Sequence, residues 1–383
     1  MTPLTDQSIE VETLDSLSEI ENLREEWQAL ERTTPESTGF QGFAWCRACY
    51  ATGEANPLVV TVRAGGRLVS LWPLQREKQW GTTIVRWAGE PLTQYGDALA
   101  EPGQWRRPAL NAALAELDRQ TGVDLVALTR LRADGVLVES GLELQPHGEQ
   151  IAAPMVDFGA GRARRPVAKS VARREKRLAA SGMVSLEEAC SAGSREAMAL
   201  RALAMKRAWL ADKGLIGSAL AAPKMGAMLA DLARSGALRC FALRLGEEVA
   251  AIDLGIVGGG IYRSLLSCYE PRFAHGSPGQ SLTGKLINAL TAEGLSGLDL
   301  LAPAEPYKLA WATQVTAIGA HYRALSVRGE AAAWTLRRLR PLAKRIVRAA
   351  SPLVTTMRNL PRTPAYEPRE IVIAGPGAGL QRG

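Results

Sequence analysis

The chain has 383 residues, of which 46% are hydrophobic and 22% charged, the composition of an ordinary globular protein, and its length favours two domains. The most apolar stretch, FALRLGEEVAAIDLGIVGGGIY, is interrupted by charges such as Asp253, so a membrane-spanning helix is not expected. Five scattered cysteines, and an N-terminus without the basic and apolar regions of a secretory signal, predict a cytoplasmic protein.

The net charge of +7 is unevenly placed. Residues 328–350 carry seven Lys or Arg against Glu330, and residues 162–177 carry eight basic residues against Glu175. Because the basic residues are confined to two segments, we expect local contacts with anions and not a DNA-binding surface. The segment 162–177 has two interpretations. It is either a solvated helix face, or a clamp for an anionic acceptor or the 3′-phosphate end of a large cofactor.

The first half predicts a strand, IEVETLDSL, followed by a helix over 18–32 with Ser18 as its N-cap. A helix over QGFAWCRACYA places Cys46 and Cys49 in the core or at its boundary. A hairpin turning at Ala64-Gly65-Gly66, a strand TTIVRWAG, a helix over 105–120 and a strand VDLVALTRL follow. LELQPHGEQIAAPMVDF predicts edge strands and a linker.

The second half repeats this order. Its predicted elements are a basic helix (166–181), a strand MVSLEEA, helices over 194–212 and 223–235, a three-stranded meander, a helix (278–293), a strand LDLL and a closing strand HYRALSV. We therefore predict two similar α+β units side by side. The predicted domains are 1–155, 156–327 with the active site, and a basic helix with a disordered tail over 328–383.

One loop of the second half, AHGSPGQSL at 274–282, has two interpretations. Ser277 and Gln280 match a capping box with Pro278 at the first helical position, which is a structural role. The same geometry would aim the N–H groups of Gly279, Gln280 and Ser281 at an anion, with Gly276 and Gly279 allowing a phosphate to come close. His275 beside them is a candidate general base, or an idle exposed histidine.

The segment LDLLAPAEPYKLAWA, 298–312, brings three candidate catalytic residues to the end of a strand. Lys308 would stabilise an oxyanion, Tyr307 would protonate a leaving thiolate, and Glu305 lies beside them. The competing interpretation makes Tyr307 a packing residue and Lys308 a surface charge. The three histidines are too far apart in sequence to suggest a metal site, so no metal is expected.

Several segments in this order resemble the CelD/BcsL-type (cellulose-biosynthesis-associated) acetyltransferases of the GNAT superfamily, which share a double-GNAT architecture with Fem-type transferases. The matching segments span about 25–325. They are FQGFAWCRACY, PLVVTVRAGGRLVSLWPL, YGDALAE, KSVARREKRLAASGMVSL, YRSLLSCYEPRFAHGSPGQSL and LDLLAPAEPYKLAWA. The resemblance implies an α+β fold of two tandem GNAT-like units, each a mixed, mostly antiparallel sheet flanked by helices.

The resemblance also implies an N- or O-acyltransferase that uses acetyl-CoA or another acyl-CoA, without a covalent intermediate, on a polysaccharide or cell-envelope precursor. HGSPGQ would be the pyrophosphate loop, although it lacks the leading Arg or Gln of the GNAT pattern, and Glu270 would be the acidic residue before it. Tyr307 and Lys308 match the family's Tyr-Lys pair. The acceptor's proton would go to Glu305, His275 or a water, and Lys308 or backbone N–H groups would hold the oxyanion.

Two alternatives keep the fold. A Fem-type transferase would use an aminoacyl-tRNA donor, which the basic segment 162–177 favours. A non-catalytic scaffold in a membrane-associated complex would explain the degenerate phosphate loop. In either case the basic helix over 334–350 predicts peripheral contact with an anionic membrane, at the inner face.

Overall fold

The structure, a computed structural model, describes residues 8–339 except 53–55, 80, 143, 145–149, 160–164, 213–219 and 221, and leaves out the side chains of 165–170 and 339. The predicted disordered tail and the first part of the basic segment 162–177 therefore lie outside the described residues. No described helix is long and apolar enough to cross a membrane.

The first half follows the predicted order of elements. Its strands are β1 (Ile9–Leu14), β2 (Asn56–Ala64), β3 (Arg67–Gln79), β4 (Thr82–Trp87), β5 (Leu99–Ala100), β6 (Leu125–Arg132) and β7 (Ile151–Asp157). Its helices are α1 (Leu17–Asn22), α2 (Arg24–Thr33), α3 (Phe43–Ala51), α4 (Arg106–Arg119) and α5 (Val136–Glu139). The predicted N-cap Ser18 is wrong. The N-cap of α1 is Ser16, two residues before Ser18, and it forms a capping box with Glu19.

The second half also follows its predicted order. Its strands are β8 (Val184–Glu188), β9 (Arg239–Leu245), β10 (Glu248–Gly258), β11 (Ile261–Tyr269), β12 (Gly297–Asp299) and β13 (Gln314–Ala324). Its helices are α6 (Arg165–Leu178), α7 (Ala192–Asp212), α8 (Lys224–Arg234), α9 (Pro278–Ala292), α10 (Pro306–Leu309) and α11 (Val327–Trp334). A π-helical turn, Thr335–Leu339, follows α11.

All thirteen strands form one sheet in the order β1-β2-β3-β4-β6-β13-β7-β12-β11-β10-β9-β8, with β5 beside β3. Each half is mostly antiparallel with one parallel pair, which is β4–β6 in the first half and β11–β12 in the second. One face of the second half packs on α6 and α9, and the other packs on α7 and α8. The predicted α+β class with two similar units is therefore confirmed.

The two halves exchange their last strands. β7 leaves the first half and pairs with β12, whereas β13 leaves the second half and pairs with β6, and β7 and β13 pair with each other. The prediction of an edge strand at β7 is wrong, because β7 is central. Pro154 in β7 lacks an N–H and therefore mimics an edge-strand signal. The closing strand begins earlier than predicted, at Gln314. The predicted domain boundary at 155/156 falls within β7 and stays a prediction.

Candidate active site

The parallel pair of the second half separates near its middle. Ile261–Arg263 of β11 pair with Gly297–Asp299 of β12. β11 continues to Tyr269, and no described strand pairs with its β12-side edge over residues 264–269. Along that edge the Ser267 carbonyl accepts from Lys206 Nζ (3.4 Å), and no described strand pairs with the backbone there. We call this opening, between residues 264–269 and the chain after β12, the notch.

The loop predicted to bind phosphate connects β11 to α9. It consists of a 3-10 turn, Pro271–Gly276, and Ser277, which has a left-handed backbone (φ 51°, ψ 59°). The predicted capping box is wrong, because the Ser277 side chain makes no cap hydrogen bond. The Gln280 side chain instead accepts a hydrogen bond from Trp311 Nε1 (2.8 Å), and the Gln280 and Ser281 N–H groups donate to the Ser277 carbonyl.

The two glycines of this loop face different surroundings. A Cβ at Gly276 would collide with Leu178 of α6, so this glycine lets the basic helix pack against the loop. A Cβ at Gly279 would meet nothing within 4 Å, so the first turn of α9 is open on that side. The positive end of a helix dipole there favours an anion. Ser281 is fully buried, and His275 is exposed.

The basic helix α6 lies along α9. Besides Leu178 at Gly276, Glu175 forms an ion pair with Lys285 of α9 at 2.7 Å. The basic side chains near its C-terminal end that are exposed are Arg173, Lys176 and Arg177. Part of the segment 162–177 is thus close to the start of α9. Both interpretations of the segment, a solvated face and an anion clamp, remain compatible with this position.

The Tyr-Lys pair lies on the short helix α10, just beyond β12. Lys308 is 8% exposed, and its Nζ donates to the carbonyl oxygens of Leu301 (3.0 Å) and Pro303 (3.3 Å). The Glu305 carboxylate is 3.6 Å from the same nitrogen. Burial lowers the pKa of Lys308, against the charges of Glu305 and Asp299, which raise it. Lys308 is therefore not a surface charge, because it holds the turn between β12 and α10.

Tyr307 is 49% exposed, so a substrate can reach its ring. Partial burial raises the pKa of its hydroxyl, and the negative charges of Glu305 and Asp253 raise it further. A phenol with a raised pKa keeps its proton at neutral pH, so Tyr307 is present as the neutral phenol. The bond between Trp311 and Gln280 links this segment to the start of α9, so the structure brings the predicted phosphate loop and the Tyr-Lys segment together.

The sequence analysis missed a carboxyl group on β10. Asp253 is 3% exposed, and its oxygens accept hydrogen bonds from Tyr262 Oη (2.7 Å) and Ser264 Oγ (2.5 Å) of β11. A signal for it was present, because a single acidic residue inside the apolar run VAAIDLGIV costs free energy to bury unless it is hydrogen-bonded.

A buried polar network between the halves was also missed. Asp299 of β12 is fully buried and accepts hydrogen bonds from Tyr95 Oη (2.8 Å), Arg132 (2.9 Å) and the Leu301 N–H (2.8 Å). Arg132 of β6 also makes two bonds of 2.8 Å to Asp134. Because Leu301 supplies a carbonyl to Lys308, the first half helps to orient the Tyr-Lys segment of the second half.

The corresponding opening in the first half is filled by the chain itself. β4 and β6 pair only at Ile84–Val85 and Leu125–Val126, but the Gly96 N–H donates to the Arg130 carbonyl at 3.1 Å. A Cβ at Gly96 would collide with the Trp87 ring and approach the Thr129 carbonyl oxygen to 2.6 Å. The two halves are therefore unequal, with a notch in the second half and a closed counterpart in the first.

A parallel strand pair that separates is present in both linked halves, and in the second half the separation lies beside the N-terminus of α9. Residues 165–309 of this second half, from α6 to α10, match the family model of the acetyltransferase (GNAT) domain, so this half has a GNAT-type fold. This stretch contains the predicted phosphate loop and the Tyr-Lys pair. The comparison with curated proteins found no match.

Solved structures with a similar fold include FemX, with a TM-score of 0.55 at 11% identity over 80% of this chain and 96% of FemX. A conserved protein of unknown function from Bacteroides thetaiotaomicron has a TM-score of 0.53 at 8% identity, over 83% of this chain and 100% of its own. The C-terminal domain of a protein assigned as a lysylphosphatidylglycerol synthetase, from Agrobacterium fabrum, has a TM-score of 0.51 at 13% identity, over 84% and 95%. At these identities the similarity concerns the fold alone.

Proposed function

We propose that the protein is an acyl-CoA-dependent N- or O-acyltransferase that transfers an acetyl group directly from the thioester to its acceptor. The observation that carries this proposal is the notch of the second half, which opens beside the accessible first turn of α9 and the exposed Tyr307. The match of residues 165–309 to a GNAT acetyltransferase domain supports it. Gly276, Ser277, Gly279, Gln280 and Ser281 would surround the pyrophosphate of the cofactor, whose thioester supplies the acyl group.

In the proposed reaction the notch orients the thioester, and the chain's own groups handle charge and protons. Lys308 donates to two backbone carbonyls and lies 3.6 Å from the Glu305 carboxylate, so it would act on the oxyanion through its charge, and backbone N–H groups of β11 would donate to that oxyanion. Tyr307 would donate a proton to the leaving thiolate. As the resemblance to CelD/BcsL-type proteins implies, the acceptor would be a polysaccharide or cell-envelope precursor.

The membrane contact predicted for 334–350 stays a prediction. The part of that segment that the structure describes presents an exposed Trp334 (57%) and an exposed Arg338. An aromatic ring beside cationic side chains suits the surface of an anionic membrane.

Acetyl-CoA should raise the unfolding midpoint of the protein, because a ligand at 100 times its Kd adds about 2.7 kcal/mol to the stability of the native state. Gly279→Asp should abolish this increase, because the new carboxylate would occupy the open space at the first turn of α9 and repel a phosphate. A thermal-shift titration measures both effects, and calorimetry should give one acetyl-CoA per chain, since the counterpart in the first half is closed.

The matched control is Gly193→Asp. Gly193 is also the second residue of a helix, α7, and a Cβ there also meets nothing within 4 Å. An acidic residue in the first helical turn favours either helix, so neither variant should lose stability. Equal midpoint increases in both variants would contradict binding at α9. If the wild type bound tRNA and not acetyl-CoA, the aminoacyl-tRNA alternative would replace this proposal.

Tyr307→Phe should lower kcat by about 10- to 100-fold and leave the Kd for acetyl-CoA unchanged, because only the proton donated to the thiolate is lost. Release of free CoA thiol from acetyl-CoA measures kcat. The control is Tyr50→Phe, which removes a hydroxyl that donates to the Leu74 carbonyl (2.8 Å) in the first half. A Tyr307→Phe enzyme as active as the Tyr50→Phe enzyme would refute the role of Tyr307.

A further inference from the structure

The Asp253 carboxyl group has no assigned role, although it is costly to bury. It lies on β10, between β9 and β11, and its two oxygens accept from Tyr262 Oη and Ser264 Oγ. Within the described residues it takes part in no ion pair, so hydroxyl groups alone supply its polar contacts there. A buried carboxylate that is solvated only by hydroxyls is a poor stabilising element, because no cation offsets its desolvation.

The position of Ser264 connects this carboxyl group to the notch. Arg263 is the last residue of β11 that pairs with β12, so Ser264 is the first residue beyond the pairing, where the notch begins. Asp253 is buried whereas Ser264 is only half-buried, and therefore the hydroxyl lies between the carboxyl group and the accessible space. The charge of Asp253 also acts on Tyr307, which follows β12 on the opposite side of the notch.

We propose that Ser264 and Asp253 form the proton-accepting pair of the acyl transfer, a catalytic role that rests on the proposed function. The amine or hydroxyl of the acceptor attacks the thioester carbonyl, and a new bond forms from its nitrogen or oxygen to that carbon. Its proton passes to Ser264 Oγ as the proton of Ser264 moves to Asp253. The carbon–sulfur bond breaks, and the electron pair leaves with the CoA sulfur, which takes a proton from Tyr307.

The surroundings of Asp253 suit a base that works near neutral pH. Burial raises the pKa of Asp253 to about 6, although hydrogen bonds from Ser264, Tyr262 and Ser267 lower it. Tyr262 on β11 donates to it, and besides burial its charge raises the pKa of Tyr262, of Tyr307 on α10, and of the thiols of Cys240 on β9 and Cys268 on β11. A proton acceptor whose pKa lies just below the working pH is ionised and still basic.

Glu305 and His275, the acceptors considered from sequence, occupy different places. The side chain of Glu305 is 50% exposed and lies 3.6 Å from the Lys308 ammonium. His275 is exposed on the turn before α9, six residues beyond the end of β11. Of these four groups, Ser264 lies where β11 and β12 separate, and Asp253 accepts its hydrogen bond at 2.5 Å, which is why the geometry points to this pair.

The test measures CoA release from acetyl-CoA, with glucosamine and with water as acceptors, over pH 5 to 9. Asp253→Asn should lower kcat by about 100-fold or more, and Ser264→Ala by about 10-fold or more, with unchanged acetyl-CoA binding. Wild-type kcat should fall as the pH drops below about 6, because protonated Asp253 cannot accept a proton, and this decrease should be absent from the residual activity of Asp253→Asn.

Ser70→Ala is the matched control, because Ser70 is a fully buried strand serine of the first half that donates to the Leu99 carbonyl (3.1 Å). If Asp253→Asn does not fold, the kcat of Ser264→Ala and the pH dependence of that kcat test the proposed pair. Wild-type activity in Ser264→Ala or Asp253→Asn, or a larger loss in Glu305→Gln or His275→Gln, would overturn the proton-accepting pair alone. A folded wild type that neither binds nor turns over acetyl-CoA would overturn the proposed function and this assignment with it.

Discussion

Arg132→Met should lower the free energy of unfolding by about 3–5 kcal/mol, because it leaves the buried Asp299 carboxylate without its cation. Asp299 is fully buried, and Arg132 is 6% exposed and bonded to Asp299 at 2.9 Å. Burial disfavours the charged form of Arg132, but the charges of Asp299 and Asp134 raise its pKa above the ordinary value. Urea unfolding, followed by circular dichroism, measures the loss.

The control for this variant is Arg323→Met. Arg323 forms an ion pair with Asp118 at 2.6 Å, but both side chains are exposed to solvent, by 40% and 31%. Solvent screens such pairs, so this variant should lose less than about 1 kcal/mol. Equal losses in the two variants would contradict a special role for the buried pair. Both variants remove one arginine, but Arg132 pairs with the buried Asp299 and with Asp134, whereas Arg323 pairs with the solvent-exposed Asp118.

Arg132→Met should also reduce acyl transfer at temperatures where the variant is folded. Asp299 accepts from the Leu301 N–H, and the Leu301 carbonyl accepts from Lys308. Arg132 and Tyr95 of the first half therefore position a segment of the proposed active site through Asp299. We therefore expect the first half to contribute order to this site.

Gly96→Ala should cost about 3 kcal/mol, the upper end of the usual effect of overpacking. The new methyl group would collide with the buried Trp87 ring and lie 2.6 Å from the Thr129 carbonyl oxygen. Neither neighbour can move easily, because Trp87 is 1% exposed and packs against Trp72, and Thr129 belongs to β6. Thermal and urea unfolding measure the change.

Gly319→Ala provides the comparison, because a Cβ at this position of β13 meets nothing within 4 Å. Replacing a strand glycine by alanine in open space should be neutral or slightly stabilising, within about 0.5 kcal/mol. If Gly96→Ala were equally neutral, the segment at 95–96 would not fill the space between β4 and β6 as described. An open first half would then be expected to bind a second acetyl-CoA.

Much of the site was predictable because its signals are local. Pro278 at the start of α9 and the Tyr-Lys pair after a short strand are recognisable from a few adjacent residues. The capping box at Ser277 failed because a distant side chain, Trp311, takes the Gln280 oxygen instead. Asp253 was visible in the sequence as a charge in an apolar strand, but its partners were not.

The sequence by itself determined the order of strands and helices, the class of the fold and the location of the loop before α9. The spacing of hydrophobic residues and the presence of turn-forming residues are signals that extend over a few positions. They predict the local backbone structure wherever tertiary contacts favour the same structure. Only the tertiary structure decided that β7 and β13 exchange halves, that Tyr95 and Arg132 reach Asp299, and that one notch is open while the other is filled. The strand exchange and the Asp299 network depend on contacts between residues that lie well over a hundred positions apart, such as the 204 separating Tyr95 from Asp299. The filling of the first half depends on the side-chain and backbone packing around Gly96. No local pattern encodes either.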